Sequence, residues 1–268
     1  MTTNYQPRLA QIVIYPIKSL DGEVVDRSKI SPGGALEFDR RWAIVDANGK
    51  VVNAKRTAKI QQIRSQFDFG GSEDRLLVNL STVDHPHPQV FCLTTELDKL
   101  ASWLSEFFGF SVSLIENAIV GFPDDLEAYG PTIVSTATLL AICECFPDLD
   151  LTEVRRRFRT NLELSDVPAF WEDRLFGVAG EVVNFQMGNV KFQGINPCQR
   201  CIVPTRNSLT GNVTAKFQQT FSQYLQQTAP IWTNLSRFNH FYRLAVNTQI
   251  PDGEANKFLD VGDLISFH

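Results

Sequence analysis

Along the first third of the chain, apolar residues come in short runs bounded by turn formers, a pattern that predicts strands. Residues 9–17 are rich in Ile and Val, and 22–30 form a second run. Trp42–Asp46 and Val51-Val52 flank Asn48-Gly49, and Asn-Gly tolerates the positive φ of a two-residue hairpin turn. Residues 60–69 and 76–80 continue the strand pattern, with a turn at Gly70-Gly71-Ser72. Then the period changes. Leu97, Leu100, Ala101, Leu104, Phe107 and Phe108 recur at steps of three and four, which predicts an amphipathic helix with Thr95 and Gly109 as its caps. Residues 111–116 return to strand. The stretch 120–131, broken by Gly and Pro and carrying several acids, reads as a linker.

The second half mixes types. Ser135 or Thr136 caps a short helix that runs to Phe146 and stops at Pro147. Residues 158–164, 181–186 and 190–192 read as strands. Phe217, Phe221, Tyr224 and Leu225 give a second amphipathic helix with Thr214 as its cap, and 244–247 and 264–267 close the chain as strands. Many short strands with few helices predict a mainly β (α+β) fold with barrel-like sheets rather than alternating βαβ units. No G-x-G-x-x-G or P-loop pattern points to a nucleotide fold.

Composition narrows the picture. The chain has 268 residues, room for one large domain or two modest ones, and its 20 Phe can fill a sizeable core. A net charge of −5 argues against a nucleic-acid binder. The N-terminus shows no signal-peptide pattern, and residues 133–146 are too short and too polar to span a bilayer. Five cysteines, an odd number, suggest thiols in a reducing cytoplasm rather than a disulfide framework.

Three clusters carry candidate chemistry. Cys198-Gln199-Arg200-Cys201 places two thiols three apart beside a cation that favours a thiolate. It reads as half a zinc site, a redox pair, a loop offering one thiolate to a soft metal, or two small buried hydrophobes. Cys143-x-Cys145 has the wrong spacing for the other half of a zinc site. Arg155-Arg156-Arg157-Phe158-Arg159-Thr160-Asn161 is either a solvated basic face or an anion clamp, since Arg offers planar bidentate donors. Tyr15-Pro16-Ile17-Lys18-Ser19 follows an apolar strand, where ligand groups often lie, although Lys18 can equally be an exposed strand-end cation.

These pieces, in this order, resemble one family. Tyr15-Pro16-Ile17-Lys18-Ser19 and Phe38-Asp39-Arg40-Arg41-Trp42 look like the N-terminal β-barrel domain that precedes MOSC domains. Phe158-Arg159-Thr160-Asn161 resembles that family's Phe-Arg-Pro-Asn segment. Pro197-Cys198-Gln199-Arg200-Cys201 and Thr210-Gly211 resemble its cysteine loop, and Val261-Gly262-Asp263 its closing strand. The chain is thereby similar to the mitochondrial amidoxime-reducing component and its bacterial relatives. The resemblance implies two β-barrel-like lobes, 1–120 and 121–268, with a cofactor cleft between them. It implies a molybdenum cofactor (molybdopterin) whose metal takes the thiolate of Cys201, the catalytic and metal-ligating residue, with Cys198 a neighbour. Lys18, Ser19, Arg40, Arg159 and Asn161 are then the expected holders of the pterin phosphate, and Ser135 and Thr136 further contacts at a helix start. The implied reaction is reduction of a small N-hydroxylated substrate with electrons from a separate electron-transfer protein or reductase, since no four-cysteine iron–sulfur pattern exists in the sequence. The rival reading is a non-catalytic cofactor carrier or sulfur-handling module that uses Cys201. Thr160 replaces the family's proline, and Arg206-Asn207 stand where an acidic residue often follows the loop's Thr, so the departures touch substrate preference.

Overall fold

Buried and exposed positions alternate along the first strand, β1 (Arg8–Ile14), with one register shift between Leu9 and Gln11. Alternation of this kind buries one face of a sheet, and here that face carries Leu9, Ile12 and Ile14 into the main core. The structure, a computed structural model, describes residues 5–70 and 75–267. Its further strands are β2 (Glu23–Val25), β3 (Arg27–Lys29), β4 (Trp42–Asp46), β5 (Arg64–Asp68), β6 (Leu77–Ser81), β7 (Gln89–Cys92), β8 (Val112–Glu116), β9 (Ile133–Ser135), β10 (Leu162–Ser165), β11 (Val183–Met187), β12 (Val190–Gln199), β13 (Arg243–Gln249), β14 (Phe258–Asp260) and β15 (Ile265–Phe267). The helices are α1 (Leu97–Phe108), α2 (Thr136–Cys145), α3 (Leu151–Phe158) and α4 (Phe217–Thr228). Among the described residues the fold is mainly β with four short helices; the pattern predicts the β-rich class and three of the helices, but not α3.

Eight strands form one sheet in the order β15-β11-β12-β13-β9-β10-β1-β2. Strands β9 and β10 run parallel. A tight turn cannot join parallel neighbours, and α2 and α3 make the crossover between them. That crossover sets the C-terminus of α3 beside β1, because β10 also pairs with β1. The first segment of the chain is thus stitched to the second half. Strand β3 pairs with β14 from the far end of the chain, β4 pairs with β8, and β5-β6-β7 form a separate three-stranded sheet. A second core built around Trp42, Leu80, Leu100 and Leu104 fills the space among these smaller sheets and α1. A third, around Phe158, Phe217, Phe221 and Tyr242, lies under α2, α3 and α4.

Several local expectations change. Asp46 accepts from the Gly49 N–H and donates its own N–H to the Lys50 carbonyl, and of the Asn48-Gly49 pair only Gly49 has positive φ. This is a three-residue loop of a type I turn plus bulge, not the two-residue turn expected. Residues 22–30 split into two strands that serve different sheets. Residues 58–62 form a 3-10 turn, so the strand there is only Arg64–Asp68. Glu96, not Thr95, precedes α1, and Gly109 closes it in the left-handed region as expected. Lys216, not Thr214, precedes α4; the Thr214 hydroxyl instead accepts from Arg157 at 2.9 Å. Phe158 ends a helix capped at its start by Asp150, and the expected strand begins only at Leu162. Gly71 and Ser72 lie outside the described residues.

Candidate functional site

Backbone geometry at the end of α3 brings three segments together. Arg159 stops the helix in the left-handed region at φ +52°. Asn161 then accepts from the Val13 N–H through its carbonyl at 2.7 Å and donates its own N–H to Thr132. The strand that precedes Lys18, the loop that precedes β9 and the arginine segment therefore share one edge. Ser19 and Arg40 also take positive φ, at +76° and +50°. A non-glycine residue held there costs on the order of 1 kcal/mol and persists where its surroundings fix it.

These residues line a cavity of about 740 Å³, within the usual range for cofactor sites. Lys18, Ser19, Arg40, Arg159 and Asn161 are in its wall, and so are Cys198 and Cys201. The wall carries nine Lys or Arg against five Asp or Glu, in a chain whose net charge is −5. The cavity is a local cationic well suited to an anionic ligand.

Tyr15 organises the cations. Its ring lies 4.2 Å from the Arg159 guanidinium carbon and 5.2 Å from that of Arg40. Its hydroxyl donates to the Thr160 carbonyl at 3.2 Å, and burial pushes the phenol up to about 12, so it stays protonated. Burial opposes the charge of Arg40, but Asp39 and then Asp124 outweigh it and raise its pKa. Arg40 also donates to Asn161 Oδ1 at 3.2 Å. The Asn161 amide is engaged within the protein at both ends, accepting from Thr132 and donating to the Val13 carbonyl at 3.1 Å. What this gives Asn161 is a positioning role. Arg159 differs: among the described residues its guanidinium makes no hydrogen bond or ion pair, and burial lowers its pKa. A half-buried cation that lines a cavity with no carboxylate in contact is a place for a ligand anion.

Next to the cysteines, Arg200 Nη1 donates to Cys198 Sγ at 3.1 Å and Nη2 donates to the Phe158 carbonyl. Arg243 Nη1 donates to the Pro197 carbonyl at 2.8 Å. The Nε groups of both arginines are buried with no partner among the described residues, and such orphaned donors beside a cavity are candidates for ligand contact. All five cysteines are free. Among the described residues no cluster of three His, Cys, Asp or Glu can hold a metal, so the half zinc site finds no other half. The fit to a molybdopterin is good: a thiol at one wall, unpartnered guanidinium N–H groups, and a cationic pocket for a phosphate tail.

Ser135 and Thr136 are not brought to this cavity. Ser135 is 0% exposed, and its hydroxyl caps α2 by accepting from the Thr138 N–H. Thr136 Oγ1 donates to Glu163, which also takes Arg155 in a two-toothed ion pair. The helix start is not part of the cavity wall, and its two hydroxyls are taken by Thr138 and Glu163. The residues missed are those of the stretch read as a linker. Ala128, Tyr129 and Gly130 form part of the wall. A Cβ at Gly130 would meet the Thr248 carbonyl at 2.7 Å, so glycine lets the loop close on β13. The Gly-Pro pair was visible in the sequence, but its contact with β13 is a long-range fact.

Residues 6–111 match the family model of the MOSC N-terminal beta barrel domain. Across curated proteins, the chain is 28% identical over 232 residues to a molybdenum cofactor sulfurase of Drosophila grimshawi, covering 77% of this chain and 29% of that protein. A molybdenum cofactor sulfurase of Drosophila erecta is 26% identical over 248 residues, 81% of this chain and 30% of that protein. Its counterpart in Drosophila yakuba is 25% identical over 286 aligned positions, 97% of this chain and 34% of that protein. The chain thus spans about a third of the length of the curated relatives it matches.

Proposed function

Taking as premise that the chain carries the MOSC N-terminal beta barrel domain, we propose that it binds the molybdenum cofactor in this cavity and reduces N-hydroxylated compounds with electrons from a separate reductase. The observation that carries the reading is that one cavity reaches both Cys201 and the cations Lys18, Arg40 and Arg159. A ligand with a soft metal at one end and an anionic tail at the other needs that combination. Cys201 would give the metal its thiolate, and Lys18, Arg40 and Arg159 would take the phosphate. When bound, the molybdenum supplies the two-electron chemistry that removes the N-hydroxyl oxygen.

The rest belongs to this chain's own side chains. Tyr15 holds the two guanidiniums in register, and its protonated phenol adds no charge to oppose the anion. Asn161 fixes Arg40 against the β1–β10 edge. Arg200 braces Cys198 and the end of α3 through the Phe158 carbonyl, and so shapes the loop that presents Cys201. Loop residues 128–130 cover the cavity from the β13 side and limit water. The five free thiols support a reducing, cytoplasmic setting. Among the described residues no helix is long and apolar enough to cross a membrane.

The curated relatives favour a second reading, a sulfur-handling or carrier module that uses Cys201, because they are named molybdenum cofactor sulfurases. The two readings separate in one experiment. Protein made in a cofactor-competent host is given benzamidoxime and a supplied reductase. The reductase reading expects turnover in the wild type and its loss in Cys201→Ser, with the circular dichroism spectrum unchanged. Turnover undiminished in Cys201→Ser overturns the assignment, and cofactor hand-over without turnover selects the carrier.

A further inference from the structure

The Lys18 ammonium is already engaged. It donates to the Phe122 carbonyl at 2.7 Å, the Pro123 carbonyl at 3.1 Å and Asp124 Oδ1 at 2.9 Å. An ammonium has three N–H groups, so all three are taken. The Lys18 side chain is 12% exposed and that of Asp124 63%. The cation is fixed in the wall, and the carboxylate reaches it from the solvent side. Asp124 also lies 3.5 Å from the Lys55 ammonium. Burial works against its ionised carboxyl, but Lys18, Lys55 and Arg40 hold it well below the ordinary carboxylate range.

The surrounding backbone is anchored on both sides of Asp124. The Phe122 N–H donates to the Arg40 carbonyl at 2.8 Å, and Asp125 accepts from Asn196 and Asn247. The Asp124 carboxylate itself is held, among the described residues, by the two lysines alone. It can therefore turn outward without unfolding the loop.

We propose that Asp124 is an internal counter-ion that competes with external anions for Lys18, so that an anion entering the cavity displaces its carboxylate toward Lys55 and solvent. This rests on the reading of the cavity as a site for an anionic cofactor, and names the group that sets selectivity at its anion end. A site whose cation is engaged for part of the time shows an apparent affinity lowered by that fraction. A half-exposed ion pair is weak enough for a phosphate of nearly two charges to displace. A singly charged carboxylate or chloride meets an equal competitor, so Asp124 acts as a filter against such anions.

The test uses the 268-residue chain purified from cells that lack molybdenum cofactor synthesis, with inorganic phosphate as the probe in titration calorimetry at low salt. Asp124→Asn is expected to tighten phosphate binding by about fivefold, and Lys18→Met to lose it. A crystal soaked in phosphate should show the Asp124 carboxylate out of hydrogen-bonding reach of Lys18 Nζ, a readout that stands even if the variant fails to fold. Unchanged or weaker phosphate affinity in Asp124→Asn, or a phosphate on Lys18 with Asp124 still bonded to it, overturns the proposal. Loss of binding in Lys18→Met would in that case leave the anion site itself standing. Absence of phosphate binding in both wild type and Asp124→Asn overturns the competitor and the anion-end reading together.

Discussion

Arg159 occupies a left-handed backbone conformation at the C-terminus of α3 while its guanidinium stacks over Tyr15 inside a cationic cavity. A non-glycine residue costs about 1–2 kcal/mol there, and a cation–π contact returns about 0.5–1 kcal/mol. The conformational cost is the larger, so stability alone would favour glycine, the usual residue at such a helix end. Arg159→Gly is expected to leave the melting temperature unchanged or raise it by a few degrees, while phosphate affinity falls about tenfold or more. Arg159→Lys should not restore that affinity, because a lysine lacks the planar fork that both stacks and grips phosphate. A fall in melting temperature with phosphate affinity retained would show that the side chain serves the fold and not a ligand.

At the scale of elements, α3 ties the cysteine loop to the fold through Glu153. Its carboxylate accepts from Arg157 Nε at 2.7 Å and from the Ser208 N–H and hydroxyl at 2.9 and 2.5 Å. The Arg157 side chain is 2% exposed and also donates to Thr214. Removing one partner of a buried pair costs about 3–5 kcal/mol, because the other charge is left without compensation. Glu153→Ala is therefore expected to lower the urea midpoint by a corresponding amount and to loosen residues 203–214, read as faster amide exchange there. A change below about 1 kcal/mol would mean that the network is a solvated surface feature after all.

The same element shows what was legible in the sequence. Helices α1 and α4 were readable from apolar spacing, and α2 from a cap at Ser135 or Thr136 and the stop at Pro147; Ser135 is the cap. Helix α3 was not, because three consecutive arginines drew the eye to a charge cluster and hid the spacing of Leu151, Val154 and Phe158, although Asp150 offered a cap signal. Strand β14 was missed because three residues paired with β3 leave no local pattern. The cavity was legible through motifs at Lys18, Arg40, Arg159 and Cys201, but not through chain-local reasoning. Arg40 and Asn161 meet across 121 positions, and the Gly, Pro and acid content that suits a linker suits a cavity wall equally well. Ser135 and Thr136 lie away from the cavity because their hydroxyls bond Thr138 and Glu163, contacts that a cap signal alone does not reveal.

At the scale of the whole molecule, the buried acids Glu172 and Asp173 make stability depend on pH across the neutral range. Burial raises Glu172 to about 8, with Asp173 adding repulsion, and burial raises Asp173 to about 7 while Thr233 donates to it at 2.6 Å. Both lie far above their unfolded values near 4. Between the two values the folded state holds protons that the unfolded state has released, so stability falls as pH rises. The stabilisation is fully present below about pH 4 and lost as pH climbs through about 8. Urea unfolding should give a lower midpoint at pH 8.5 than at pH 5.5, and Glu172→Gln should flatten that slope. A midpoint that rises across the interval would contradict the assignment of neutral buried carboxyls.

The central claim is that one cavity holds a molybdenum-bearing anion by Cys201 at one end and cations at the other. Elemental analysis of protein purified from a cofactor-competent host tests it most directly. The account predicts about one molybdenum per chain in the wild type and a large fall in a Lys18→Met, Arg159→Gln double variant that remains folded. A wild-type protein without molybdenum, or a double variant that keeps its full complement, would contradict it.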